Sequence, residues 1–126
     1  MEIINTKNAP EAIGPYSQAI KAGGLLFLSG QIPINPHNQE LMLFDGDVVQ
    51  QAELVLSNAS VVLKSVGLSV DSIVKTTIFL KDMADFVSVN EVYSSFMGSH
   101  RPARSTVAVS GLPKGVSVEI EVIAEC

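Results

Sequence analysis

The period of the hydrophobic pattern switches back and forth between two and about 3.6 along this chain, and the order of those switches restricts the fold more than any single motif. Ile3 to Asn5 reads as a short edge strand, and Gln18 to Ala22 and Leu25 to Ser29 read as two strands joined through Gly23-Gly24, a pair that favours a tight hairpin turn. Pro10, Gly14 and Pro15 mark an irregular segment that delivers Tyr16 and Ser17, and Ile32 to Gly46 reads as a loop broken by Pro33, Asn35, Pro36 and Asn38. From Asp47 the period turns helical, with Val48, Ala52, Val55, Ala59, Val62 and Val66 on one stripe. Asp47 is a good N-cap and Gly67 a natural stop. Ser72 to Lys81 returns to β-branched and aromatic residues, and Asp85 is expected to cap a second helix with Phe86, Val89, Asn90, Tyr93, Phe96 and Met97 on or near one stripe, ending at Gly98. The order β-β-β-α-β-α-β-β excludes a regular doubly wound fold. It predicts one α+β domain over residues 1–126, a mixed sheet of about six strands with both helices on one face.

The last stretch, RPARSTVAVSGLPKGVSVEIEVIA, reads as a hairpin: a strand from Ser105 to Val109, a reversal at Gly111 to Gly115, and a strand from Val116 to Ala124. Alternation puts Val118, Ile120 and Val122 on one face and Glu119, Glu121 and Ile123 on the other. Arg104 then stands just before the first strand, at the end matching a carboxylate on its neighbour. A guanidinium held near a carboxylate suits the gripping of a small anion beside a polarised water, and equally suits an exposed surface salt bridge. Asn90 is a polar residue on an apolar helical stripe, which calls for a boundary position or a hydrogen bond to a neighbouring strand end.

Hydrophobic residues make up 47% of the chain and the mean hydropathy is +0.35, apolar enough that a shared subunit interface would account for it. Strands such as Leu25 to Ser29 and Val116 to Ala124 also carry apolar residues on the face that two helices leave free, and self-association is the simplest cover for it. No apolar run reaches the roughly 18 residues of a membrane span, and the start has no charged region leading into an apolar one, so a cytoplasmic protein is expected. The single cysteine, Cys126, is the last residue and offers no internal disulfide. A net charge of -5 and a pI near 4.8 disfavour broad attraction to a phosphate backbone. His37 and His100 lack metal-ligand spacing, and no nucleophile elbow, phosphate-binding loop or dinucleotide fingerprint occurs. No metal and no cofactor is inferred.

Six strings carry a family resemblance: AIGPYSQA at 12–19, LSGQIPIN at 28–35, IVKTTIFLKDMADF at 73–86, VNEVY at 89–93, RPARSTVAV at 101–109 and LPKGVSVEIEVIA at 112–124. In order and spacing they resemble the Rid family, in older naming endoribonuclease L-PSP. The resemblance covers nearly the whole chain and implies a chorismate-mutase-like α+β fold and a homotrimer with clefts between subunits. It implies hydrolysis of enamine and imine intermediates, such as 2-aminoacrylate, 2-iminopropanoate and 2-iminobutanoate, to 2-oxo acids and ammonia. Arg104 would then hold the substrate carboxylate, Glu119 would orient or deprotonate water, and Tyr16 would close the pocket. Ser29 and the Gly30 backbone would line it, and Phe86 and Asn90 would form its wall. Many deaminase members have a cysteine where this chain has Thr106, so a thiol nucleophile is unavailable and ligand preference shifts with the substituted side chain. Two other readings accompany the deaminase: a non-catalytic small-molecule or chaperone-like binding module, and a translation-inhibiting endoribonuclease. The acidic pI and the lack of a basic, aromatic-lined groove speak against the last, leaving a small-molecule ligand and further copies of the chain as the expected partners.

Overall fold

Gly23 and Gly24 both adopt positive φ, +59° and +78°, which is what a two-residue reversal between right-twisted strands demands. The structure, a computed structural model, describes residues 1–126. The reversal joins β2 (Ala19–Ala22) to β3 (Leu25–Gln31), and β1 (Glu2–Ile4) pairs antiparallel with β2 at the sheet edge. After α1 (Val48–Ser65) come β4 (Ile73–Leu80), α2 (Phe86–Met97), β5 (Ala103–Ala108) and β6 (Val118–Glu125). All six strands form one mixed sheet in the order β1-β2-β3-β6-β4-β5.

The expected hairpin between the last two strands does not form. Strand β5 pairs parallel with β4, whereas β6 lies between β3 and β4, antiparallel to both. Alternation fixes which face a side chain takes but not which strand lies alongside. A helix crossover returns the chain parallel to the strand it left, so α2 lays β5 beside β4. The segment after β5 then carries the chain to the sheet centre, where Val118, Ile120, Val122 and Ala124 are all buried. Arg104 consequently sits inside β5 rather than before it.

Both helices pack on the face that these four residues share. Ala52, Val55, Leu56, Ala59, Val62 and Leu63 of α1 join Leu26 and Leu28 of β3, Ile78 and Leu80 of β4, and Val89, Tyr93 and Met97 of α2 in one core. Full burial of each larger aliphatic side chain contributes about 1.5–3 kcal/mol. Asp47 caps α1 as its residue type predicts, accepting from the Val49 and Gln50 amides at 3.0 and 3.3 Å. Asp85 makes no such bond. Instead Asp82 accepts from the Ala84 amide at 2.9 Å and opens a 3-10 turn over Met83–Asp85 that leads into α2.

Two buried glutamines do work that the hydrophobic pattern does not announce. Gln51 donates to the Leu43 carbonyl at 2.9 Å and accepts from the Ser117 amide at 2.8 Å, tying the 32–46 loop and the entry of β6 to α1. Gln18 accepts from the Thr6 amide at 2.7 Å and donates to the Thr6 and Pro10 carbonyls, anchoring the N-terminal arm. The opposite sheet face carries no helix: Ile3, Ile20, Phe27 and Ile123 run across it in one row of the register, with Phe27 42% exposed. No helix is long and apolar enough to cross a membrane.

Candidate active site in two halves

A bulge in β3 builds the first half. Leu28 pairs with Val122 and Gln31 with Ile120, so Ser29 and Gly30 occupy an interrupted stretch of the ladder. The Ser29 hydroxyl donates to the Ser17 carbonyl at 2.5 Å and its amide donates to the Gln18 carbonyl at 3.0 Å, holding the bulge against the arm that bears Tyr16. Gly30 is glycine for lack of space, since a Cβ there would lie 2.5 Å from Glu119 Oε2 and 3.0 Å from its Cδ. Its backbone therefore approaches the Glu119 carboxylate as no other residue could. Tyr16, Ser29, Gly30 and Glu119 line one cavity of about 470 Å³, whose wall also includes Ile13, Ile32, Ile34 and Lys114. Tyr16 is 53% exposed and stands at the wall's outer part. Burial pushes the Glu119 carboxyl above its ordinary value, and the charge of Glu121, two residues on along the same face, adds to the shift.

The second half lies on the other face of the sheet. Arg104 donates from Nη1 to Asn90 Oδ1 at 2.7 Å, and its guanidinium carbon lies over the rings of Tyr93 and Phe86, 5.0 and 5.8 Å from their centroids. Asn90 thus interrupts the apolar stripe of α2 to meet a strand arginine, one of the two explanations its position admitted. Thr106 follows Arg104 by two and shares its face; its hydroxyl is buried without a hydrogen-bond partner. The other arginine of RPAR has a different task. Arg101 donates to the Gly98 and His100 carbonyls at 2.6 and 2.8 Å, closing the C-terminal end of α2.

Arg104 and Glu119 do not meet within one chain. Arg104 is opposite Thr76 and Glu119 opposite Phe79, so β4 lies between them and their Cα atoms are about 14 Å apart by strand geometry. Thr76 faces the helices and Phe79 faces away, which sends the two functional groups to opposite sides of the sheet. The neighbour of the guanidinium is Asn90, and the surface salt bridge that the sequence left open is absent. Pattern reasoning also missed Tyr93 and Thr76 as neighbours of Arg104, because both look like ordinary core positions.

The profile of the endoribonuclease L-PSP family, the Rid family of the resemblance above, matches residues 6–126. The chain belongs to this family. A protein of Escherichia coli K12, 2-iminobutanoate/2-iminopropanoate deaminase, is 48% identical over 124 residues, 96% of this chain and 94% of that protein. Among solved structures, a protein of unknown function of the Rid family from Yersinia pestis superposes with a TM-score of 0.94 at 52% identity, covering 99% of this chain and 98% of that one. Escherichia coli TdcF with bound serine gives 0.92 at 44% identity over 100% of this chain and 99% of its own. The α+β fold is therefore the chorismate-mutase-like fold of the Rid family.

Proposed function

We propose that this Rid family protein hydrolyses small 2-imino acids, 2-iminopropanoate and 2-iminobutanoate, to 2-oxo acids and ammonia, at sites completed between copies of the chain. The observation that carries the reading is the division of the polar groups into two half-sites on opposite sheet faces, each with what the other lacks. One has a guanidinium with four of its five N–H donors unspent on Asn90 and a buried, unpartnered hydroxyl at Thr106. The other has a desolvated carboxylate beside a tight backbone approach and a cavity. A second copy seated on the uncovered sheet face and the exposed edge strand β5 would bring one half against the other, and a homotrimer is the closed assembly in keeping with the resemblance. The 48% identity to a named deaminase and the amino acid bound to TdcF support the substrate class.

Arg104 would hold the substrate carboxylate through paired charge-assisted bonds, and Thr106 would add the donor that a cysteine supplies poorly. Phe86 and Asn90 would fix the plane of the guanidinium. Across the cleft, Glu119 would accept a proton from water as the water oxygen bonds to C2 of the protonated imine and the C=N π pair moves to nitrogen, giving a neutral carbinolamine. Returning that proton to nitrogen lets the C–N bond break with its electron pair and ammonia leave, while the regenerated Glu119 carboxylate takes the hydroxyl proton and the C2–O bond becomes the ketone. Ser29 and Gly30 would shape the water's approach, and Tyr16 would cover the cleft and donate a hydrogen bond.

The test is to generate 2-iminobutanoate with an amino-acid dehydratase and follow 2-oxobutanoate release. Wild type is expected to accelerate release and Arg104→Ala to keep only a small residual acceleration; equal rates with wild type, Arg104→Ala and no protein would refute the proposal.

A further inference from the structure

Arg104 projects from an edge strand, where a long charged side chain ordinarily samples many rotamers in solvent. Its guanidinium nevertheless rests on two rings and one amide oxygen. The nearer ring, Tyr93, is fixed from behind. Its hydroxyl lies 2.7 Å from Thr76 Oγ1, and both residues are buried. Thr76 is also the β4 residue directly opposite Arg104, so this one hydrogen bond ties α2 to the sheet at the register of the arginine. Filling the space would require only phenylalanine at 93 and valine at 76. Two hydroxyls facing each other in a dry site add direction, because each has a single good partner there.

We infer that Tyr93 is a positioning residue for Arg104: its bond to Thr76 sets the tilt of the ring on which the guanidinium lies, and the ring with Asn90 aims the unspent donors outward from the sheet edge. The inference rests on the reading that Arg104 holds the substrate carboxylate. It also makes a claim independent of turnover, namely that the orientation of Arg104 depends on the Thr76–Tyr93 bond.

The experiment measures kcat/KM for 2-iminobutanoate in Tyr93→Phe and Thr76→Val, each alone and combined with Arg104→Ala. Each single variant is expected to lose about 3- to 10-fold, mostly through KM, and to cause no further loss once Arg104 is alanine. Equal fractional losses in both backgrounds would show a merely structural role and overturn the inference. Thr76→Val breaks the same bond without touching the ring, so full activity in a folded Thr76→Val also overturns it. The second readout is the NMR ring-current shift of the Arg104 Nε–H in the unliganded protein. It is expected to move toward the free-arginine position in both single variants, and an unchanged shift overturns the inference even if wild type proves to have no deaminase activity.

Discussion

Replacing Gly30 by alanine is expected to disable Glu119 while leaving the fold intact. The φ of Gly30 is not in the left-handed region, so an alanine backbone fits and the whole effect is steric. The new Cβ would lie 2.5 Å from Glu119 Oε2, 3.0 Å from Cδ and 3.2 Å from Cγ, where ordinary contact begins near 3.4 Å. The carboxylate must therefore retreat by about 1 Å, and a displacement of that size at a reacting group costs roughly 100-fold in rate. Stability changes little, because the clashing atoms end a flexible, half-buried side chain and alanine restricts the unfolded chain by about 0.4–1 kcal/mol in compensation. The dehydratase-coupled assay should show kcat/KM down by about two orders of magnitude with the thermal midpoint within about 3 °C of wild type. In a Glu119→Gln background the same substitution should cost far less. Wild-type activity in a folded Gly30→Ala protein, or an undiminished loss in the Glu119→Gln background, would refute the reasoning.

Other consequences follow from the same contacts. Arg104→Lys keeps the charge but loses the fork and the ring stacking, so kcat/KM should fall by roughly 100-fold, about 3 kcal/mol, and a lysine as active as arginine would contradict carboxylate gripping. Burial raises the Glu119 carboxyl above its ordinary value, and as the proposed base it would act ionised, so the acid limb of kcat/KM should lie above the usual carboxylate range and be missing from the residual activity of Glu119→Gln. The same proton is held more tightly in the folded state, so its contribution to stability is present below the unfolded value and is lost as pH rises toward the folded one; urea midpoints of wild type and Glu119→Gln should diverge across that window, and parallel curves would contradict the shift. Gln51→Leu leaves the Leu43 carbonyl and the Ser117 amide unpaired, which should cost about 2–4 kcal/mol and lower the thermal midpoint by roughly 8 °C or more; an unchanged midpoint would show that both groups find other partners.

How much of this was legible in the sequence differs by level. Faces were legible: the alternation in VEIEVIA puts Val118, Ile120 and Val122 in the core and Glu119, Glu121 and Ile123 opposite, as found. Pairing was not, because a strand with one apolar face is satisfied by any neighbour that shares the face, and the crossover through α2 decided the matter. That one error placed Arg104 and Glu119 together in a single chain. Asn90 stood out as a polar residue on an apolar stripe, and its partner was the arginine. Tyr93 and Gln51 gave no signal, since a buried tyrosine and a buried glutamine differ from core and surface residues only through hydrogen bonds to residues 17 and 66 positions away. Gly30 drew notice from the family motif alone, and the clash with Glu119 supplies the physical reason.

Mixing two severely impaired variants tests the intersubunit site most directly. Arg104→Ala retains an intact Glu119 half and Glu119→Gln an intact Arg104 half. If each site takes one half from each of two copies, unfolding and refolding an equal mixture should restore sites in about a quarter of positions by random assortment. Native mass spectrometry would confirm that mixed assemblies form, and 2-oxobutanoate release would report the activity. Recovery to about a quarter of the wild-type rate is the expected result. Mixed assemblies with no activity above that of either parent would contradict a site built between copies of the chain.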